Sequence, residues 1–193
     1  VGGCIRDLLL GRTPKDFDIV TSARPAEMRH LFRNCRLIGR RFRLAHLHFH
    51  DNKIIEVATF RRAPTDEDDV TQRHAAENLF GSAADDALRR DFTINSLMYD
   101  ISRRQIRDWV DGLGDVDRRI IRTIGAPERR FAEDPVRIVR AAKFKELLGL
   151  EFEASMPAAI AASAHLVPTC SPARLVEEIL KVLRSGASAR CLE

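Results

Sequence analysis

Polar and apolar positions alternate most cleanly over residues 53–60. Ile55, Val57 and Thr59 fall on one face there, and Ile54, Glu56, Ala58 and Phe60 on the other, a period of two that predicts a strand. Residues 16–20, 35–38 and 43–50 read as further strands, the last placing His46, His48 and His50 on one face. Residues 4–10 read as a helix with Leu8, Leu9 and Leu10 on its apolar side and Gly11 as its stop. A second helix is expected over 25–32, capped by Ser22 or Thr21, with Met28, Leu31 and Phe32 inward. Residues 62–81 contain Asp66-Glu67-Asp68-Asp69 and no lasting periodicity, so they read as a mobile loop placed as a lid. A hairpin over 98–101 and 105–109 would complete a sheet of about five strands.

The pattern then changes. Asp111-Gly112 and Gly114-Asp115 are turn dipeptides that mark a hinge, and helical spacing dominates from residue 127. Asp134-Pro135 reads as the N-cap and first turn of a helix that buries Val136, Val139, Ala142, Phe144, Leu147 and Leu148, with Arg137 and Arg140 sharing another face. Residues 154–162 and 172–183 are expected to be helical too, and no internal repeat is visible. These elements predict an α+β chain, with a sheet-bearing part over residues 1–110 and a helical part over 111–193.

Composition narrows this only where residues cluster. With 193 residues, 45% of them hydrophobic, the chain can bury a core without staples. The net charge of +4 is mild. Its distribution is more telling: Arg33, Arg36, Arg40, Arg41 and Arg43 fall close together, and Arg89-Arg90, Arg103-Arg104, Arg118-Arg119 and Arg129-Arg130 recur as pairs. Such clusters suit phosphate or nucleic acid, although charge runs are also ordinary solvated faces. Cys4, Cys35, Cys170 and Cys191 have neither zinc-site nor disulfide-framework spacing, which fits a reducing cytoplasm. No stretch approaches the roughly 18 apolar residues of a membrane span, and no secretion signal is visible, so no membrane partner is implied. The opening on Val1, directly at a glycine pair, reads as a fragment cut at both ends.

Several residues are candidates for chemistry. Asp16 and Asp18, one residue apart in an expected strand, would face the same way and offer the paired oxygens that suit Mg²⁺; the alternative is two solvated acids. Gly2 and Gly3 opening a helix, with Arg6 nearby, form an anion site for a triphosphate or an ordinary tight turn. Glu56, a carboxylate on an apolar strand face, is either a candidate third metal ligand or the partner of Arg61 or Arg43. Asp91 either caps the short helix after it or, behind Arg89-Arg90, joins a phosphate and ribose contact. The alternating histidines are read as an exposed strand edge, with a transition-metal site as the lesser alternative.

Taken in order, Gly-Gly-x-x-Arg-Asp, Asp-Phe-Asp, Arg-Arg-Asp-Phe-Thr-Ile-Asn and Glu-Asp-Pro-Val-Arg closely resemble the class II tRNA nucleotidyltransferase and bacterial poly(A) polymerase family, over residues 1 to about 144. Arg36-Leu37-Ile38-Gly39-Arg40-Arg41-Phe42-Arg43-Leu44-Ala45-His46 resembles the segment of its poly(A) polymerases and not of its CCA-adding enzymes. The resemblance implies a polymerase-β-like nucleotidyltransferase head over 1–110. A helical neck with the start of an RNA-binding body would follow over 111–193, the later helical domains lying outside this chain. It implies template-independent transfer of AMP from ATP to an RNA 3′ end, with CCA addition to tRNA as the alternative. Asp16 and Asp18 would hold two Mg²⁺ ions, Asp91 would be a further essential acid, and Arg90 and Asn95 would help hold the nucleotide. Asp134 and Arg137 would read the incoming base, with Arg140 beside them. The chain departs from that family where Asp111-Gly112 replaces a common Gly-Gly and where Lys143 precedes Phe144 in place of a frequent Arg. The family does not require His48 or His50.

Overall fold

The computed structural model describes residues 1–39, 44–50, 53–65, 79–186 and 188–192. Helices and strands mix in an α+β arrangement, and the chain forms two compact units, one of Val1–Arg90 with Asn95–Val110 and the other of Asp91–Ile94 with Asp111–Glu193. Part of the basic segment that resembles poly(A) polymerases, residues 40–43, and most of the expected lid loop, residues 66–78, lie outside the described residues.

The first unit holds a sheet in the order β1-β4-β3-β2, built from β1 (Ile19–Thr21), β2 (Cys35–Ile38), β3 (Leu44–His48) and β4 (Ile54–Thr59). β1 runs parallel to β4 in the register Ile19–Val57, and the other neighbours are antiparallel. The alternation of β4 is realised, since Val57 and Thr59 are buried while Glu56 is exposed. Val57, Ala45 and Leu47 pack with Met28 of α2 (Pro25–Leu31) to form the core on one face of the sheet. Glu27 supports the helix start by accepting from the Arg24 N–H at 2.5 Å, so neither Ser22 nor Thr21 is the cap.

Several expectations change here. Leu31 and Phe32 are exposed because this one-sided sheet needs a single anchor from α2, which Met28 provides. In α1 (Gly3–Leu9) the buried side chains are Cys4 and Arg6, whereas Leu8 and Leu9 point outward. The strand expected over 16–20 starts only at Ile19, because the Asp18 carbonyl accepts from the Val1 amino group at 2.8 Å and not from a neighbouring strand. The hairpin of β5 (Met98–Asp100) and β6 (Gln105–Arg107) forms, but as its own two-stranded sheet, so the main sheet has four strands among the described residues and not five. Its base is tied to the glycine turn instead, through Gly2 N–H to Leu97 O at 2.8 Å.

The second unit is mainly helical. After α3 (Ala83–Leu88) of the first unit and a 3₁₀ turn at Thr93–Asn95, its elements are α4 (Gly112–Arg118), β7 (Ile120–Ile121), α5 (Pro127–Glu133), α6 (Val136–Leu148), β8 (Glu151–Phe152), α7 (Met156–Ser163), α8 (Pro172–Leu183) and α9 (Ser188–Leu192). A helix starts where the hinge is expected: Asp111 takes a left-handed conformation at φ 60° and its carboxylate accepts from Arg118. Buried Asp115 accepts from Thr93, Arg118 and Arg122 and ties α4 to the segment around Phe92. β7 pairs in parallel with β8, a contact that two-residue strands do not announce in sequence. Phe92 and Phe144 meet edge to face at 5.9 Å in the core of this unit. No helix among the described residues is long and apolar enough to cross a membrane.

Candidate functional site

In the first unit, the chain leading into β1 carries Asp16 and Asp18, both exposed. Among the described residues neither carboxylate is held by a hydrogen bond or ion pair, so both remain available as oxygen donors. Asp18 and Glu56 line a cleft of about 170 Å³ that Arg61, Arg89 and Arg90 also line. The lining thus combines carboxylates with guanidinium groups, a mixture that suits a divalent ion bound together with phosphate oxygens.

Whether the acids fit Mg²⁺ turns on their number. Among the described residues no three His, Cys, Asp or Glu side chains converge on a metal position, so Asp16, Asp18 and Glu56 are not a three-ligand cluster. The Glu56 carboxylate lies 3.3 Å from Nε2 of His46, its partner across β3 and β4, and among the described residues it forms no ion pair with Arg61; Arg43, the other expected partner, lies outside the described residues. Two exposed carboxylates with water and phosphate completing the shell is nonetheless a set that Mg²⁺ accepts. His50 lies beyond the end of β3, which leaves His46 and His48 as the histidines of the strand, 6.4 Å apart between ring centres.

The cationic wall is organised by a residue that the sequence reading passed over. Asp86, buried in α3, accepts from the Arg61 backbone N–H and from Arg89 through Oδ1, and from Arg90 through Oδ2. Its signal was the spacing Asp86, Arg89, Arg90, which puts an acid one helical turn before two bases. Arg90 also donates to the Asn95 carbonyl at 3.0 Å. Gly2 takes φ 68°, a left-handed conformation that favours glycine, and a Cβ there would also lie 3.2 Å from the Asn95 carbonyl and 2.7 Å from Nη1 of Arg90. Arg6 is buried and donates to Asp7 and, at 2.6 Å, to Oδ1 of Asn95. Gly2, Arg6, Arg90 and Asn95 are therefore one connected group. Gly3 follows it, and a Cβ there would meet the Arg6 guanidinium at 3.5 Å, an ordinary contact.

The second unit places Asp91 against Arg140. Oδ1 of Asp91 accepts from the Phe92 N–H at 2.8 Å, and Oδ2 accepts from Nε and Nη2 of Arg140 at 2.8 and 2.6 Å. Arg140 also approaches Glu178 of α8, which is buried and receives Nζ of Lys143 at 2.6 Å and Nζ of Lys181 at 3.1 Å. Burial pushes the Glu178 carboxyl up, but the Lys143 hydrogen bond and charge, with Lys181 and Arg140, outweigh it and hold the group below its usual value. Lys143, which departs from the family pattern, thus serves as the partner of Glu178, and burial lowers its own pKa.

Asp134 is not an N-cap: it ends α5, makes no capping bond with its side chain, and turns its carboxylate to Arg174 of α8, whose Nη2 donates to Oδ2 at 2.7 Å. Arg137 and Arg140 diverge. Arg137 donates to the Arg130 carbonyl at 2.8 Å and lies 3.5 Å from Glu133, whereas Arg140 turns to Asp91. Burial and the neighbouring Arg130 lower the Arg137 pKa against the pull of Asp134, Asp91 and Glu133. Arg174 and Glu178 were missed in sequence although their i, i+4 spacing puts them on one side of α8.

A family model described as "Poly A polymerase head domain" matches residues 1–122, and one described as "Probable RNA and SrmB- binding site of polymerase A" matches residues 149–193. The chain is 49% identical to poly(A) polymerase I of Escherichia coli O6:H1 over 96% of its own length and 42% of that protein. It is 36% identical to the CCA-adding enzyme of Bacillus pumilus over its whole length and 47% of that protein. Among solved structures, the Bacillus stearothermophilus CCA-adding enzyme in complex with CTP superposes with a TM-score of 0.84 at 36% identity, covering the whole chain and 45% of that protein. The chain thus spans less than half the length of the relatives it matches. With the head-domain match covering well over half of its residues, the chain belongs to the poly(A) polymerase and CCA-adding nucleotidyltransferase family, and its fold is that of the nucleotidyltransferase head.

Proposed function

We propose that the chain is the catalytic part of a template-independent polynucleotide adenylyltransferase, which transfers AMP from ATP to RNA 3′ ends and releases pyrophosphate. Residues 1–110 act as the catalytic head. Residues 111–193 act as the neck with the start of an RNA-binding body. The observation that carries the choice of adenylate is the gap between 49% identity to a poly(A) polymerase and 36% to a CCA-adding enzyme.

In this reading Asp16 and Asp18 hold two Mg²⁺ ions, which would favour the 3′-alkoxide and neutralise charge on the phosphates. Arg90, with Arg89 behind the same Asp86, supplies fixed positive charge for the triphosphate in the cleft. The Gly2-Gly3 turn, Arg6 and Asn95 keep Arg90 in place. Asp91, Arg137 and Arg140 belong to the second unit, where Asp134 offers a carboxylate oxygen to the amino group of the base and Arg137 a donor to a ring nitrogen. The chain's residues thus position the nucleotide and balance its charge, which is most of what phosphoryl transfer asks of a protein.

CCA addition by the same chemistry is the second reading, favoured by the superposition on a CCA-adding enzyme over the whole chain. The deciding experiment offers the full-length protein ATP or CTP with two primers, a short oligoadenylate and a tRNA lacking its CCA end. The adenylyltransferase reading expects long adenylate tracts on the first and little CTP use on either. Incorporation of CTP into the tRNA as readily as ATP would overturn it.

A further inference from the structure

Asp134 sits at the break between α5 and α6, with φ −152° and no capping bond to fix its side chain. A carboxylate in that position rotates easily about its last torsion, since such torsions are broad. A group that reads a base by one oxygen needs that rotation stopped. Arg174 provides the stop: from α8 its Nη2 donates to Oδ2 of Asp134 at 2.7 Å, which leaves Oδ1 to accept a hydrogen bond from elsewhere.

The contact is unsuited to a purely structural task. Arg174 is 59% exposed and Asp134 20%, and a solvent-facing pair of this kind adds little to stability. The same helix face already carries a buried anchor one turn later, where Glu178 holds Lys143. α8 is therefore fixed to α6 without Arg174. The Arg174 contact instead puts a charge-assisted, directional hydrogen bond on the one carboxylate of the α5–α6 break.

We propose that Arg174 is a positioning residue that orients the Asp134 carboxylate so that its other oxygen meets the exocyclic amino group of the incoming adenine. This rests on the reading of Asp134 as a base contact, and the test separates the two. Full-length protein with an oligoadenylate primer is assayed with ATP and with purine riboside triphosphate, which lacks the 6-amino group, for wild type, Asp134→Ala, Arg174→Ala and Arg174→Lys. Wild type should prefer ATP in kcat/KM, and Asp134→Ala should erase the preference. Arg174→Ala should reduce it by about tenfold, the value of one charge-assisted hydrogen bond, and Arg174→Lys should restore part of it. An Arg174→Ala protein that loses activity equally with both nucleotides has lost structure and not orientation, which overturns the proposal. So does one that binds ATP more tightly, since Arg174 would then compete with the base. If Asp134→Ala keeps the full preference for ATP, the base contact itself is wrong and the proposal falls with it. Thermal melting of each variant gives the fold check, and a melting temperature close to wild type is expected because Arg174 is exposed.

Discussion

Nη1 of Arg90 occupies the space that a side chain on Gly2 would need, at 2.7 Å from the Cβ position. The glycine turn and the arginine of the cationic wall are thus set against each other before any ligand arrives. Gly2→Ala must both adopt φ 68° and displace Arg90, so it is expected to cost about 1–3 kcal/mol. Gly3→Ala meets only the Arg6 guanidinium at 3.5 Å, an ordinary contact, and should be close to neutral. Chemical denaturation of the two variants checks this, and equal losses would show that the turn is not constrained by Arg90.

Asp86 makes a second prediction for the same wall. Asp86→Asn keeps the shape but removes the charge that Arg89 and Arg90 share, so both arginines lose their anchor. A loss of about 1–3 kcal/mol is expected from the buried position, together with a raised KM for ATP. A stable variant with unchanged KM would mean that the arginines are held by other contacts.

The acids of the two units should respond differently to removal. Asp16→Ala and Asp18→Ala change exposed side chains that are unbonded among the described residues, and should shift stability by under about 0.5 kcal/mol while abolishing nucleotide incorporation. Asp91→Ala removes the closer of the two carboxylates that Arg140 meets and leaves the Phe92 N–H without its acceptor, so it should also cost about 1–3 kcal/mol. Melting curves run beside incorporation assays separate the two classes. Retained activity in Asp16→Ala would remove it from the proposed metal site.

Glu178 gives a pH dependence. Its carboxyl is held below the usual glutamate value, so its stabilising contribution is fully present above the ordinary pKa of about 4.3 and is lost as pH falls through the depressed value beneath that. Glu178→Gln should therefore lower the melting temperature at pH 7, with the gap to wild type closing in acid below about pH 4. A gap that stays constant with pH would assign the loss to packing and not to charge.

The chain's periodic segments were legible because local sequence decides them. The alternation over β4 and the helix at Pro172–Leu183 occur where expected, and the order of the short motifs was enough to indicate the family. Burial was less legible. Leu8, Leu9, Leu31 and Phe32 satisfy helical spacing yet lie outside, because which face is buried depends on what packs against it. The separate β5–β6 hairpin and the β7–β8 pair are likewise decided by partners distant in sequence.

By itself the sequence determined the residue types of the site and their order: a glycine turn, an Asp-x-Asp pair, Arg-Arg-Asp and Glu-Asp-Pro-Val-Arg. Only the tertiary structure decided which of these charges are already engaged. Arg6 belongs to Asp7 and Asn95, Asp91 to Arg140 and Asp134 to Arg174, whereas the Asp16 and Asp18 carboxylates stand exposed and unbonded among the described residues. The physical reason is that side-chain chemistry is carried locally by each residue, while an ion pair requires two groups to be brought within about 3 Å, which only the folded chain achieves. For Asp91, Asp134 and the buried Glu178 those partners came from helices distant in sequence, outside the short motifs.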